Sequence, residues 1–284
     1  MIMAIAVAVP AALLAACCFA VAAVLQQEAA ATAPEKESLR PRLIWSLAHR
    51  PLWLTGIALS AVSFVIQGAA LAFGPLVLVL PLASTDLLFA LPLMAWRRHR
   101  RLTRWEVTGA ACTAGGVAAF LTVLPSSASE RRPDAWDWLP LLAVVASCVT
   151  VLVSAGLRTT GRVRAGAYAG AAGLLFALLD ALTNSAAGLF RNHGVTALGH
   201  WEPYALLFVG AAGLLLAQSS FQAGSLAVSL PLIDTIEPIG AVLIGAAVFH
   251  ERLATSGYLA VQVLGAVLAV TGIVILDRSP LVRT

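Results

Sequence analysis

The chain alternates between long apolar stretches and short polar connections. Nine stretches contain very few charged side chains, and a helix of about 20 such residues is long enough to cross the ~30 Å hydrocarbon core of a bilayer. The pattern therefore predicts an all-α integral membrane protein with about nine transmembrane helices. The predicted spans are 4–25, 52–73, 75–95, 107–124, 138–156, 166–190, 203–222, 226–249 and 256–276.

Composition agrees with a chain surrounded mainly by lipid. The 284 residues are 60% hydrophobic and 11% charged, whereas soluble domains carry about 25% charged residues. No phosphate-binding loop, dinucleotide fingerprint, zinc-binding helix or nucleophile elbow occurs, so neither an enzyme, nor an ATP-driven pump, nor a cofactor is predicted. The expected partners are the lipid bilayer and a small-molecule or cation substrate. Nucleic acid is not expected, and a homodimer is left open.

Basic residues predict the orientation, because Lys and Arg concentrate in cytoplasmic loops. With the N-terminus outside, 14 of the 18 basic residues fall in cytoplasmic segments. We therefore predict a multi-pass protein of the cytoplasmic membrane with its C-terminus inside. Residues 1–25 are expected to be a retained first helix, since no basic residue precedes the apolar run as it would in a signal peptide. The 14 residues are Lys36, Arg40, Arg42, Arg50, Arg97, Arg98, Arg100, Arg101, Arg104, Arg158, Arg162, Arg164, Arg278 and Arg283.

The chain contains an internal duplication at an offset of 150 residues, aligning 74–85 with 224–235. The first and sixth spans, five spans apart, would cross the membrane in opposite directions. The repeats are therefore predicted to be inverted, which is the usual basis of alternating access. The predicted organisation is a four-helix repeat at 1–125, a linker loop and fifth helix at 126–160, and a second four-helix repeat with a short tail at 161–284. Identical pairs are Gly74/Gly224, Leu76/Leu226, Leu80/Leu230, Pro81/Pro231, Leu82/Leu232 and Thr85/Thr235.

Four of the 14 acidic residues lie inside predicted spans. An ionisable side chain at that depth is costly and marks a functional site by default. Asp234 and Glu237 share one helix face at a spacing of three, and Asp180 shares a face with Asn184 at a spacing of four. Alternatively, neighbouring hydroxyl and amide groups satisfy these acids, which then only specify helix packing. The predicted substrate- or ion-binding residues are Asp180, Asn184, Asp234, Glu237, Asp86, Thr85, Thr235 and Gln218.

Prolines interrupt the two acid-bearing spans that the duplication pairs. Pro81 lies in the third span, and Pro231 and Pro238 lie in the eighth. Each proline removes a helical hydrogen bond, so a kink that frees carbonyl groups to face a cavity is expected at these positions.

Several stretches resemble the drug/metabolite transporter superfamily and its EamA-like members. They are Gln67–Leu82 with its twin Gln222–Leu232, and Glu237–Gly240 with Phe249–Leu253. Nine spans, with Pro51–Leu54 opening the second and Pro75–Leu82 in the third, look most similar to the NIPA-type branch, which is described as magnesium transporters. The first repeat departs from the family pattern, because it has Arg100-Arg101-Leu102 where the second has Glu251-Arg252-Leu253.

The four-helix unit also resembles the small multidrug resistance family, whose membrane carboxylate lies in its first helix. The first span here has no acid, and Asp180 in the equivalent sixth span is the one residue to which that role carries over.

Three functions follow as hypotheses. The leading one is a secondary transporter that moves a small metabolite or drug-like solute by proton-coupled efflux. The second is a magnesium or divalent-cation transporter of the NIPA type, in which carboxylates and threonines supply the oxygen ligands that hard cations prefer. The third is a non-transporting membrane scaffold. The first two differ in whether the carboxylates converge on one point, and the sequence leaves the question of a metal open.

Overall fold

The protein is described from a computed structural model over residues 2–73, 79, 82–122, 135–248 and 256–278. Helix makes up 90% of the structure, and the described residues contain no strand, which confirms the predicted all-α class. Short 3₁₀ segments occur at Glu35–Glu37 and Gly194–Gly199. The α-helices are α1 Ile2–Ala31, α2 Pro41–Ala48, α3 Pro51–Phe73, α4 Asp86–Arg97, α5 Arg104–Thr122, α6 Ala135–Leu157, α7 Gly161–His193, α8 Glu202–Ala223, α9 Leu226–Val248 and α10 Ser256–Asp277.

Several helices are long and apolar enough to cross a membrane. Six candidate spans lie within the described residues, in α1, α3, α6, α7, α8 and α9. A shorter apolar helix covers Ala260–Leu276 in α10. The chain is accordingly a multi-pass membrane protein. The six spans are Val7–Ala31, Pro51–Leu71, Trp138–Leu157, Gly161–Phe190, Glu202–Ala223 and Leu226–Ile244.

Successive long helices run in opposite directions, and this arrangement brings their basic flanks together. Gln26 Nε2 near the end of α1 donates to Ser60 Oγ, and Ser63 Oγ, further along α3, donates to the Ala15 carbonyl, earlier in α1, so these helices are antiparallel. Arg97 at the end of α4 forms a two-contact ion pair with Glu28 of α1, at 2.5 and 2.7 Å, so α1 and α4 end together. We call this end of the bundle the basic end. It is where α1, α4, α6, α8 and α10 finish and α3, α5, α7 and α9 begin.

The third predicted span is not one regular helix. Val79, Leu82 and Ala83 are helical, Ser84 and Thr85 form a turn, and α4 then begins at Asp86. Thr85 Oγ1 donates to the Leu82 carbonyl at 2.6 Å, which satisfies the hydroxyl within the turn. The proline at position 81 lies outside the described residues, so the kink predicted there stays a prediction.

An additional short helix, α2, occupies the long polar connection after the first span. Leu43 and Leu47 are buried, while Trp45 on the opposite face is 70% exposed. Such a two-faced helix is typical of a segment that lies along the membrane surface. The sequence pattern indicated only a polar connection here, because eight residues are too few for a strong periodic signal.

Glycines bring α5 and α10 into backbone contact. A β-carbon built on Gly116 would lie 2.5 Å from the Gly265 carbonyl oxygen and 2.4 Å from the Ala269 nitrogen. One built on Gly272 would lie 2.6 Å from the Gly109 carbonyl oxygen. Small residues allow this approach in lipid, where dispersion and weak hydrogen bonds drive helix association. This contact joins the two halves of the chain.

Replacing one of these glycines tests the contact. Gly116→Ala forces the two helix backbones apart, and overpacking of this kind costs about 1–3 kcal/mol. We expect the unfolding temperature in detergent to fall by several degrees, measured by thermal denaturation. Gly115→Ala is the matched control, because a β-carbon there meets no atom within 4 Å. Equal losses in both variants would contradict the contact.

Candidate functional site

Four carboxylates from three helices form a group that draws on both halves of the chain. Asp86 lies on α4, Asp180 on α7, and Asp234 and Glu237 on α9. Asp234 interacts electrostatically with Asp86 and Glu237, and Glu237 interacts with Asp180 and Asp86. Such interactions require proximity in a medium of low polarity. The structure therefore brings together all four acids that the sequence placed at membrane depth, and we call them the carboxylate group.

Asp86 occupies the first position of α4 and is 4% exposed. Its Oδ1 accepts a hydrogen bond from the Leu87 backbone N–H at 2.8 Å. A carboxylate at this position also gains from the partial positive charge at a helix N-terminus. Local structure thus offsets part of the cost of holding Asp86 inside the chain, and Thr85 makes no capping hydrogen bond to α4.

Asp234 on α9 has fewer partners than Asp86. Asp234 Oδ2 and Thr235 Oγ1 are buried and find no hydrogen-bond partner within the described structure. Pro231 and Pro238 lie inside α9, which continues as a helix through both. Because proline has no N–H, the carbonyl of the residue four positions earlier loses its helical donor. For Pro238 that carbonyl belongs to Asp234, so unsatisfied polar atoms concentrate at this residue.

The exposure of the carboxylate group is graded. Asp180 and Asn184 on α7 are exposed on the chain surface, Asp234 and Glu237 are half-buried, and Asp86 is buried. Gly240 of α9 packs against Ala177, one turn before Asp180. Asp180 and Asn184 therefore lie beyond the α9 acids, towards the end of the bundle opposite the basic end. The group connects that end with the interior.

The grouping of ligand side chains bears on whether the site could hold a metal ion. Within the described part of the chain, no three His, Cys, Asp or Glu side chains are grouped closely enough to hold a metal ion.

Gln218 takes part in a different structure. Its Oε1 accepts from the Trp53 indole N–H at 3.0 Å, and its Nε2 donates to Gln26 Oε1 at 2.8 Å. Gln26 Nε2 in turn donates to Ser60 Oγ at 3.0 Å. We call these four residues the glutamine network. It lies on the basic-end side of the carboxylate group, and a substrate-orienting role for Gln218 stays a prediction.

Sequence reasoning missed three of the four members of this network, Trp53, Gln26 and Ser60. Trp53 lies at the start of the second predicted span, where an amphipathic ring is typical of the headgroup region, yet it is 5% exposed and faces Gln218. Gln26 stands at the edge of the first predicted span, where a polar residue is ordinary. The sequence signal that could have identified Gln26 is the adjacent pair Gln26-Gln27. Because α1 continues to Ala31, both residues lie within the helix.

Removing one charge tests the electrostatic description of the site. Asp234→Asn relieves repulsion from two neighbouring carboxylates and removes a buried charge that lacks a full set of partners. We expect a higher unfolding temperature in detergent, by roughly 2–4 °C for each kcal/mol gained. As a control, Glu28→Gln breaks the ion pair with Arg97 and should not raise it. A lower temperature for Asp234→Asn would show that its charge is satisfied.

Comparison with known proteins places the chain in a family. It is 30% identical to an uncharacterized protein of Corynebacterium glutamicum over 233 residues, which cover 81% of this chain and 80% of the relative. No family model matches the chain, and no solved structure matches it. The chain belongs to the same protein family as this corynebacterial protein.

Proposed function

We propose that the protein is a secondary active transporter that moves a small metabolite or drug-like solute across the cytoplasmic membrane by alternating access, as proton-coupled efflux. The observation that carries the proposal is the carboxylate group, in which acids of both halves interact within apolar helices. Carboxylates inside a membrane domain are expensive and are used for ion and substrate pathways. A packing role would be filled at lower cost by hydroxyl or amide groups.

Mutual repulsion gives the carboxylate group a means of coupling. Charges placed near each other in a poorly polar site favour uptake of a proton or of a substrate group that reduces the repulsion. A proton and a solute that relieve the same repulsion compete for the site, and such competition is a basis of exchange. Asp180, the most exposed member, would admit protons or solute, and Glu237 and Asp234 would pass the effect to Asp86.

The backbone at the site supports a transport role. The helix is interrupted by a turn at Ser84 and Thr85, immediately before Asp86. Helix α4 begins there, so its N-terminal amide groups lie at the carboxylate group. Transporters commonly build their sites from such interrupted helices near the bilayer midplane. Pro238 of α9 leaves the Asp234 carbonyl without its helical donor. Polar backbone is thus available to a solute from both halves.

We further propose nine transmembrane helices in two inverted four-helix repeats, α1 with α3–α5 and α7–α10, joined by α6. The helix pairing supports this arrangement. Extensive α1–α3 packing has its counterpart in α7–α8, α1–α4 packing in α7–α9, and α4–α5 packing in α9–α10. The α5–α10 contact pairs the two equivalent fourth helices of the repeats. The basic end would face the cytoplasm, with the N-terminus outside.

Membership of the drug/metabolite transporter superfamily is part of the same proposal, and it rests on the sequence resemblance. Divalent-cation transport of the NIPA type is the alternative for the same site. A hard cation needs oxygen ligands crowded around one point, whereas no three acids in the described part of the chain are grouped closely enough to hold a metal ion. That wider spacing favours the organic solute.

Transport by purified protein in proteoliposomes tests the function. An imposed proton gradient drives flux, and a panel of organic solutes, a magnesium-sensitive dye and a pH-sensitive dye are read in parallel. We expect the wild type to move an organic solute against protons. The double variant Asp234→Asn/Glu237→Gln should lose most of its flux, because both α9 members of the carboxylate group are then neutral.

The matched control is Glu28→Gln/Glu37→Gln, which also removes two carboxylates. Glu28 pairs with Arg97, and Glu37 accepts from Ser46 and lies near Arg42, so both contacts stay within the first half. This control should keep its flux. Magnesium flux lost in the Asp234→Asn/Glu237→Gln protein would favour the cation alternative. Equal flux in all three proteins would show that these acids are structural, and no flux of any kind would favour the scaffold.

A further inference from the structure

We propose that the glutamine network is the gate at the basic end of the transport pathway, and that the structure is the conformation closed at this end. The inference rests on the proposed transport function, because a gate is meaningful only for a pathway. It adds the residues that close the pathway and the state that the structure represents.

The network crosses between the two halves of the chain. Trp53 and Gln26 belong to α3 and α1 of the first half, and Gln218 belongs to α8 of the second. All three are buried, with Gln218 only 1% exposed. The Gln218 amide oxygen accepts a hydrogen bond from Trp53, and one amide N–H donates to Gln26. A single side chain therefore contacts two helices of the opposite half.

Further contacts seal the same end. Gln27 Nε2 donates to the Gly224 carbonyl at 3.4 Å, and Gln222 Nε2 donates to the Pro34 carbonyl at 2.7 Å. The Leu39 backbone N–H donates to Ser219 Oγ at 3.0 Å. Arg164 of α7 also pairs with Glu35 in the segment after α1. The connection between α1 and α3 therefore lies across the ends of α7 and α8.

Different contacts join the halves towards the other end, where Phe120 and Leu121 of α5 form a hydrophobic cluster with Ala269 of α10 and Ile239 of α9. If the two halves are inverted repeats, the counterpart of the α1–α8 contact is α7–α3, and these two helices do not share packing of that extent. The first turns of α1 pack through Ala8 and Ala12 against Ala70 and Val79, in a small cluster separate from the main core. From Ala20 onwards, α1 belongs to the core that both halves share.

The chemistry of the network suits a contact that must break repeatedly. Hydrogen bonds between amides exchange for hydrogen bonds to water at small net cost, so hydration of the opened gate is inexpensive. Removing one partner while the others stay buried is far less favourable, because the remaining groups lose their partners without gaining water. Substitution of Gln218 should therefore shift the population towards the open gate.

Thiol accessibility in the full-length protein measures this shift without any substrate. The reporter is Gln27→Cys. The native Gln27 is 3% exposed and contacts Gly224 of the other half. The reporter is placed in a background with Cys17, Cys18, Cys112 and Cys148 replaced by alanine, in nanodiscs, and labelled with a charged maleimide. We expect Gln218→Leu to accelerate labelling about tenfold, because loss of a buried partner costs the closed state an amount that corresponds to such a factor. Gln67→Leu, the same substitution on α3 away from the network, is the matched control and should leave the rate unchanged.

A second variant keeps the test decisive if Gln218→Leu does not yield monodisperse protein. Trp53→Phe retains an aromatic ring and removes only the indole N–H donor, so labelling should accelerate by a smaller factor. Unchanged labelling in a folded Gln218→Leu or Trp53→Phe protein would overturn the gate. Equal acceleration in Gln67→Leu would also overturn it, since the effect would then be general loosening.

The gate and the transport function fail separately. If Gln218→Leu accelerates labelling while the wild type transports nothing, the contact is movable but the proposed function is refuted. Transport by the wild type with labelling that ignores both network variants would support the function and refute this gate.

Discussion

Inside a bilayer no water is available to satisfy a buried polar group, so each such group must find its partner within the chain. Much of the architecture follows from this requirement. The glutamine network meets it through hydrogen bonds that run from α3 through α8 to α1 and back to α3. The carboxylate group meets it incompletely, since Asp234 Oδ2 and Thr235 Oγ1 have no partner within the described structure. Satisfied groups hold the halves together, and unsatisfied ones are available to a proton or a solute.

The glutamine network and the carboxylate group both take part in the proposed movement of the two halves. Glycine contacts between α5 and α10 bring backbones together and join the halves, while the amide contacts between α1 and α8 join them at one end only. In the proposed transport cycle, the two halves would rock about the glycine contact while these amide hydrogen bonds form and break at the basic end. The carboxylate group lies between these features, where a change in its charge alters the repulsion between α4 and α9.

Much of this structure could be predicted from the sequence because apolar length alone identifies membrane helices. The helical class, the α9 acids and their neighbour on α7 all came from counting apolar positions and from spacing. The turn at Ser84–Thr85 could not be predicted, since both residues also occur inside membrane helices and their local hydrogen bonds decide the outcome. The partnership of Trp53 with Gln218 was equally hidden, because 165 residues separate them and only tertiary packing brings them together. That Asp86 lies beside a helix break became clear only from the structure, because residue spacing does not reveal the break.

The central claim is that the two ends of the bundle open in alternation. Distances between spin labels test it most directly, with one pair on the exposed residues Ala31 and Arg158 at the basic end and another on Phe73 and Phe190 at the opposite end. Pulsed electron resonance on wild type and Gln218→Leu would compare the two pairs in nanodiscs. The account predicts that the Ala31–Arg158 distance lengthens in the variant while the Phe73–Phe190 distance shortens. Distances that both stay unchanged, or that both lengthen, would contradict alternating access in this protein.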